Sequence, residues 1–118
     1  SDKTFKFKGK IQREKENIMR DAKLLEEAGS FSMVLECVQT SLAKQVTKSV
    51  SIPTIGIGAS NNCDGQILVF DDLIGLNPIK FRFVKKYSNI KTEISKAVSK
   101  YASEVKKRKF PSKKYSFN

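Results

Sequence analysis

The sequence contains no histidine and no tryptophan, and only two cysteines and three prolines in 118 residues. Without histidine, the Ser-His and Cys-His nucleophile pairs have no base. Cys37 and Cys63 are too few for a disulfide framework or a four-ligand zinc site, so a reducing, cytoplasmic setting is expected. No apolar run approaches the roughly 18–20 residues that span a bilayer. The opening SDKTFKFKGK is charged and lacks the apolar region of a signal peptide. A secreted, membrane-spanning or fibrous protein is therefore not expected. With 39% hydrophobic residues the chain has the size and composition of one small folded domain.

Acidic side chains are also in short supply, 12 against 23 basic ones, for a net charge of +11. The imbalance is local. Residues 1–30 carry a net charge of +2, residues 31–75 carry −2, and residues 76–118, with thirteen basic and two acidic side chains, carry +11. A patch for nucleic acid or an acidic membrane is one reading, and a solvated Lys-rich helix and tail is the other. Nineteen of the basic residues are Lys and four are Arg, whereas base and phosphate readers favour Arg. No nucleic-acid-binding motif accompanies the charge. Nucleic acid is therefore not the expected partner.

Apolar spacing predicts a helix over residues 17–28, with Ile18, Ala22, Leu25 and Ala28 on one stripe and Gly29 ending it. FSMVLECV, residues 31–38, reads as a buried strand. Thr40 or Ser41 can cap a second helix with Leu42, Val46 and Val50 in line. PTIGIG, from Pro53, is a second strand, ASNNCDG a loop, and QILVFDD, residues 66–72, a third strand. A short helix over 78–86, a long one over 89–107 and an irregular tail complete the reading. Alternating β and α units predict an α/β fold with a parallel sheet. Only seven residues separate Gly58 from Gln66, too few for an ordinary crossover, so the pattern alone also allows a hairpin. The expectation is a parallel pair joined by a truncated helix. Three strands with four helices make an incomplete sheet, and the chain has no initiator Met, so part of something larger is expected.

Glu36 is the odd residue, a carboxylate in the apolar strand MVLECV near its C-terminal end. Alternation puts Ser32, Val34 and Glu36 on one face and Met33, Leu35 and Cys37 on the other. The bulkier set suits packing under helices, so Glu36 is expected on the inner side of the sheet or in a barrel mouth. C-terminal strand ends are where α/β active sites collect, although a Glu there can also simply reach water or a Lys. In GIGAS, residues 56–60, two glycines permit the close approach of a ligand or of another part of the chain. Asp71 and Asp72 are expected at the end of the third strand, where at most one faces a site that could hold a metal. Cys37 reads as a core thiol and Cys63 as an incidental loop residue.

VLECV, IPTIGIGAS, CDGQILVFDDLIGL and the late FPSKKYSF, in this order, resemble the ketopantoate hydroxymethyltransferase family. The match includes Glu26–Gly29, Val34–Val38, Ile52–Ala59, Cys63–Leu68, Phe110–Pro111 and Ser116–Phe117, and it extends from about Phe5. Each motif is weak, but five in order are specific. The resemblance implies an α/β fold that is the C-terminal half of a (βα)8 TIM barrel, strands six to eight plus the C-terminal helices. Residues 1–118 would then be a single partial domain. It implies hydroxymethyl transfer from 5,10-methylenetetrahydrofolate to 3-methyl-2-oxobutanoate, giving ketopantoate for pantothenate.

The resemblance further implies Glu36 as the catalytic base at C3 of the keto acid, and a Mg²⁺ whose ligands belong to earlier strands that this chain lacks. It implies a homo-oligomer, and partnership with the missing N-terminal half, without which the fragment is expected to be inactive. Four positions depart from the family pattern: Gln39 stands for Pro, Ser60 for Gly, Asp71 for His and Tyr115 for His. A non-catalytic fragment surviving as a subunit or interaction module is the alternative, with a basic nucleic-acid-binding module behind it.

Overall fold

A computed structural model describes residues 6–117, so the start of the resemblance at Phe5 lies outside the described residues. The elements in order are α1 (Gln12–Glu27), β1 (Met33–Glu36), α2 (Thr40–Ser49), β2 (Thr54–Ile57), β3 (Gly65–Gln66), α3 (Phe70–Leu73) and α4 (Ile90–Lys106). A 3₁₀ turn follows at Lys113–Tyr115. The residues fall into two compact units: one runs to Val69 and takes in Lys80–Val84, and the other comprises Phe70–Ile79 and the chain from Lys85.

The first unit is built on a parallel sheet in the order β1-β2-β3. In register, Met33 pairs with Thr54 and Glu36 with Ile57, while Ile55 pairs with Gly65 and Gly56 with Gln66. A parallel bridge from Lys8 to Val38 extends the far side of β1. The parallel β2–β3 pair is therefore formed despite its short connection, and the hairpin is not. No truncated helix closes the connection. Ser60 makes the turn instead, its Oγ accepting the Asn62 backbone N–H at 3.0 Å and its carbonyl accepting the Cys63 N–H at 3.2 Å.

Alternation along β1 buries Met33 and Leu35 and leaves Val34 and Glu36 exposed. The buried face meets Leu42, Ala43 and Val46 of α2 and Ala22 of α1, with Ile18 and Met19 packed alongside. The expected α2 stripe of Leu42, Val46 and Val50 is buried as read, although Gln39 rather than Thr40 or Ser41 occupies the cap position. Helix α1 starts five residues earlier than its apolar spacing predicts, because its first turns are polar and solvated. It ends as expected at Gly29, whose φ of +96° lets its N–H reach the Glu26 carbonyl and the Ser30 N–H reach that of Leu25. Its stripe is only partly used, since Leu25 is exposed.

Asp64 ties the lower end of the sheet. Its Oδ2 accepts the backbone N–H of fully buried Thr54 at 2.9 Å, and Thr54 Oγ1 lies 2.8 Å from Thr47 Oγ1 on α2. One short network thus joins the β2 start, the β3 approach and a helix.

The second unit corrects two expectations. The third strand does not run to Asp72: pairing stops after Gln66, and Phe70–Leu73 is a helical turn, so Asp71 and Asp72 do not sit at a strand end. Residues 78–86 are not helical. Asn77 Oδ1 accepts the Ile79 N–H at 3.1 Å around Pro78, fixing a turn where the helix would begin. Beyond it, Phe81 and Phe83, which belong to the first unit, stack with centroids 5.7 Å apart and rings inclined by 4°. The Val84 N–H donates to the Phe81 carbonyl at 3.0 Å, so the two rings belong to a tight turn and not to a helix.

Helix α4 lies within a residue of its predicted bounds, and in the described structure it buries none of its residues. The tail folds back through its 3₁₀ turn. Phe110 packs edge-on to Tyr101 at 5.5 Å and against Tyr115 at 6.0 Å.

Candidate active site

Glu36 is the last residue of β1, on the sheet face opposite the packed helices. Its in-register partner is Ile57, and Val34 and Ile55 precede the pair on the same face. A carboxylate is thus held at the C-terminal strand end among aliphatic side chains, on the face that alternation predicts. What holds it is the backbone of the next residue. Cys37 is buried with φ +50°, its N–H donating to the Ile57 carbonyl at 2.9 Å and its carbonyl accepting the Lys8 N–H at 2.6 Å. Bonds from both flanks fix a left-handed turn that a non-glycine residue avoids when free. Burial pushes the Cys37 thiol above its ordinary value, and the Glu36 charge adds to the effect. Cys37 is therefore a core thiol, as expected. Cys63 is buried too and joins the core, which a loop reading had missed.

Just past the strand ends lies a cleft of about 530 Å³. Cys37, Gln39 and Thr40 contribute from the β1 end, Gly58, Ser60 and Asn61 from the β2 end, and Gln66 from β3. Phe7, Arg82 and Phe83 close it. Glu36 does not line it, although its chain neighbour Cys37 does.

The glycines of GIGAS admit protein rather than leaving a gap. A Cβ on Gly56 would sit 3.1 Å from Cys63 Sγ, and one on Gly58 would sit 2.9 Å from Phe83 Cγ. Ser60, in the place of the last glycine of the family's GIGAG, is buried and serves as the turn's acceptor. The amide of Gln66 reaches its carbonyl at 2.6 Å.

Asp71 and Asp72 do not join this site's residues in the same unit. Asp72 is buried, its Oδ1 accepting the Asn77 side-chain amide at 2.8 Å, which is a structural bond. Among the described residues no group of three or more His, Cys, Asp or Glu side chains is placed to hold a metal ion. Those residues do not by themselves fit a Mg²⁺ site. Two cleft residues escaped the sequence reading. Gln39 was noted only as a departure from Pro, and Arg82 only as part of a basic run. Neither carries a motif of its own.

Comparison with known proteins bears on the whole chain. A family model described as ketopantoate hydroxymethyltransferase matches residues 2–113. The chain belongs to the ketopantoate hydroxymethyltransferase family. A 3-methyl-2-oxobutanoate hydroxymethyltransferase from Pelagibacter ubique is 63% identical over 113 residues, which are 96% of this chain and 44% of that protein. Proteins of the same name from Clostridium kluyveri and Clostridium botulinum (strain Langeland) are 54% and 49% identical, again over 96% of this chain, with 41% and 42% of their own lengths covered. The chain spans under half the length of these curated relatives.

Proposed function

We propose that this chain is the C-terminal part of a ketopantoate hydroxymethyltransferase, contributing strands six to eight of a (βα)8 barrel as β1, β2 and β3, with residues 1–118 forming one partial domain. The observation that carries this reading is the position of Glu36: a carboxylate at a C-terminal strand end, on the face turned away from the helices, which in a closed barrel is the interior. The uncovered apolar side chains around it, Val34 at 56% exposure among them, are what a second set of strands would cover.

Glu36 acts as the general base that removes the C3 proton of 3-methyl-2-oxobutanoate. The resulting enolate carbon bonds to the one-carbon unit of 5,10-methylenetetrahydrofolate, its carbon–nitrogen bonds break to release tetrahydrofolate, and water supplies the hydroxyl oxygen of ketopantoate. The fixed Cys37 turn and the register with Ile57 hold the carboxylate at the strand end. The Mg²⁺ implied by the family would supply polarisation of the bound keto acid, and the described residues do not hold it. Its ligands fall to the N-terminal half, which completes the barrel as partner. A cytoplasmic homo-oligomer is the expected assembly, and no helix of the described chain is long and apolar enough to cross a membrane.

The test is turnover in the full-length protein. Glu36→Gln is expected to lower kcat by about 10²–10⁴-fold, the usual share of a positioned base, with keto-acid binding retained. The 118-residue chain alone is expected to be inactive and to recover turnover when mixed with the N-terminal half. Unchanged turnover in Glu36→Gln would sink the assignment.

A further inference from the structure

The left-handed φ of +50° at Cys37, directly after Glu36, persists because the chain is bonded on both flanks. On the β2 side the Cys37 N–H donates to the Ile57 carbonyl at 2.9 Å. On the other side a single residue, Lys8, grips the chain twice. Its N–H donates to the Cys37 carbonyl at 2.6 Å and its carbonyl accepts the Gln39 N–H at 2.7 Å, the two bonds of the parallel bridge to Val38. A strand end bonded on one flank frays, so the turn that ends β1 is only as firm as the placement of Lys8.

Lys8 takes its position from the next residue. Gly9 is buried at φ +98°, and a Cβ there would stand 2.5 Å from Leu42 Cδ2, so its backbone is pressed against α2 with no side chain between. The Gly9 N–H donates to Glu14 Oε2 at 3.0 Å. Glu14 is the third residue of α1 and is half-buried. A glutamate at that position of a helix commonly reaches back to the N–H of the cap residue. Here the cap residue is Ile11, and the carboxylate reaches past it to Gly9, so it ties the start of α1 to the segment that grips Cys37. The bond is charge-assisted and partly shielded from water. One relay thus runs from Glu14 through Gly9 and Lys8 to Cys37, whose chain neighbour is Glu36.

We infer that Glu14 is a positioning residue for Glu36, acting through the Lys8–Gly9 segment on the turn that closes β1. The inference rests on the transferase reading above, in which Glu36 is the base, and adds to it the group that keeps the base in place. Proton abstraction is sensitive to where the carboxylate sits, since a displacement of about 1 Å costs on the order of a hundredfold in rate.

The test uses the full-length protein and reads the abstraction step directly. Exchange of the C3 proton of 3-methyl-2-oxobutanoate in D2O is followed by proton magnetic resonance without folate: Glu36 takes the proton, and a deuteron returns to the carbon. Glu14→Ala is expected to slow exchange and lower kcat by about ten- to a hundredfold, with KM for the keto acid within about twofold. Both rates are taken per folded molecule, the folded fraction being read by circular dichroism at the assay temperature. Glu14→Gln keeps an acceptor oxygen in place and is expected within about threefold of the wild type. Alkylation of Cys37 should quicken about threefold or more in Glu14→Ala as the turn loosens, and an unchanged rate would overturn the relay. If Glu36→Gln loses exchange while Glu14→Ala matches the wild type, the positioning role is overturned and the transferase reading stands. A loss as deep in Glu14→Gln, or one carried in KM, overturns it too. If Glu36→Gln exchanges normally, the transferase reading falls and the positioning role with it.

Discussion

Replacing Asp64 tests whether the CDGQ stretch is conformational rather than chemical. Thr54 is wholly buried at the start of β2, and its backbone N–H donates to Asp64 Oδ2 at 2.9 Å. Asp64→Ala removes the acceptor and strands that donor in the interior, a loss of about 1–3 kcal/mol for an orphaned polar group. The second contact, from Thr54 Oγ1 at 3.4 Å, is at the limit of hydrogen bonding and adds little, because that hydroxyl keeps Thr47 at 2.8 Å. Asp64 is itself exposed, so water screens its charge and the expected cost is about 2 kcal/mol.

Asp64→Asn leaves a neutral oxygen in the same place and should cost about half as much. Urea unfolding followed by far-ultraviolet circular dichroism reads both as shifts of the midpoint at unchanged slope. An Asp64→Ala variant within about 0.5 kcal/mol of the parent would refute the argument. So would an Asn variant as costly as the Ala one.

Three further outcomes are expected. The Ser51 backbone N–H, 2.5 Å from Glu26 Oε1, holds that carboxyl below its ordinary value. Its contribution to stability is therefore complete above the ordinary value and is lost as pH falls through the lowered one; acid titration of unfolding should flatten in Glu26→Gln and stay unchanged if the contact is idle. Burial, and then the Glu36 charge, raise the Cys37 thiol. Peptide-resolved alkylation should find Cys37 slower than a free thiol and faster in Glu36→Gln, and an equal rate would remove Glu36 from its surroundings. Gly58→Ala meets Phe83 at 2.9 Å with φ +66°, so it should destabilise by about 1–3 kcal/mol, measured by thermal unfolding; a variant as stable as the parent would remove the clash.

Several features were legible because they depend on neighbours in the sequence. The face of Glu36 follows from the two-residue period of a strand, and the stripe of α2 from the helical period, so both could be read before any contact was known. The bounds of α4 followed from seventeen residues of strong helical spacing. The end of α1 followed from one glycine. The family was legible in the order of its motifs.

Contacts between distant residues decided the rest. Composition could not tell whether QILVFDD would stay extended; pairing with β2 lasts only through Gln66, and past that point the chain turns helical. The run over 78–86 has residues a helix accepts, but the Asn77–Pro78 turn and a second turn closed from Val84 to Phe81 keep it irregular. Asp72 could be a ligand or a strut until Asn77 was seen to occupy it. Gln39 and Arg82 showed no signal at all, since a cleft exists only once strand ends separated in sequence are brought side by side. Local periodicity is fixed by bonds between near neighbours, and the sequence alone determined it. Which polar atoms find partners, and which are left aimed into a cavity, depends on the packed chain, and only the tertiary structure decided that.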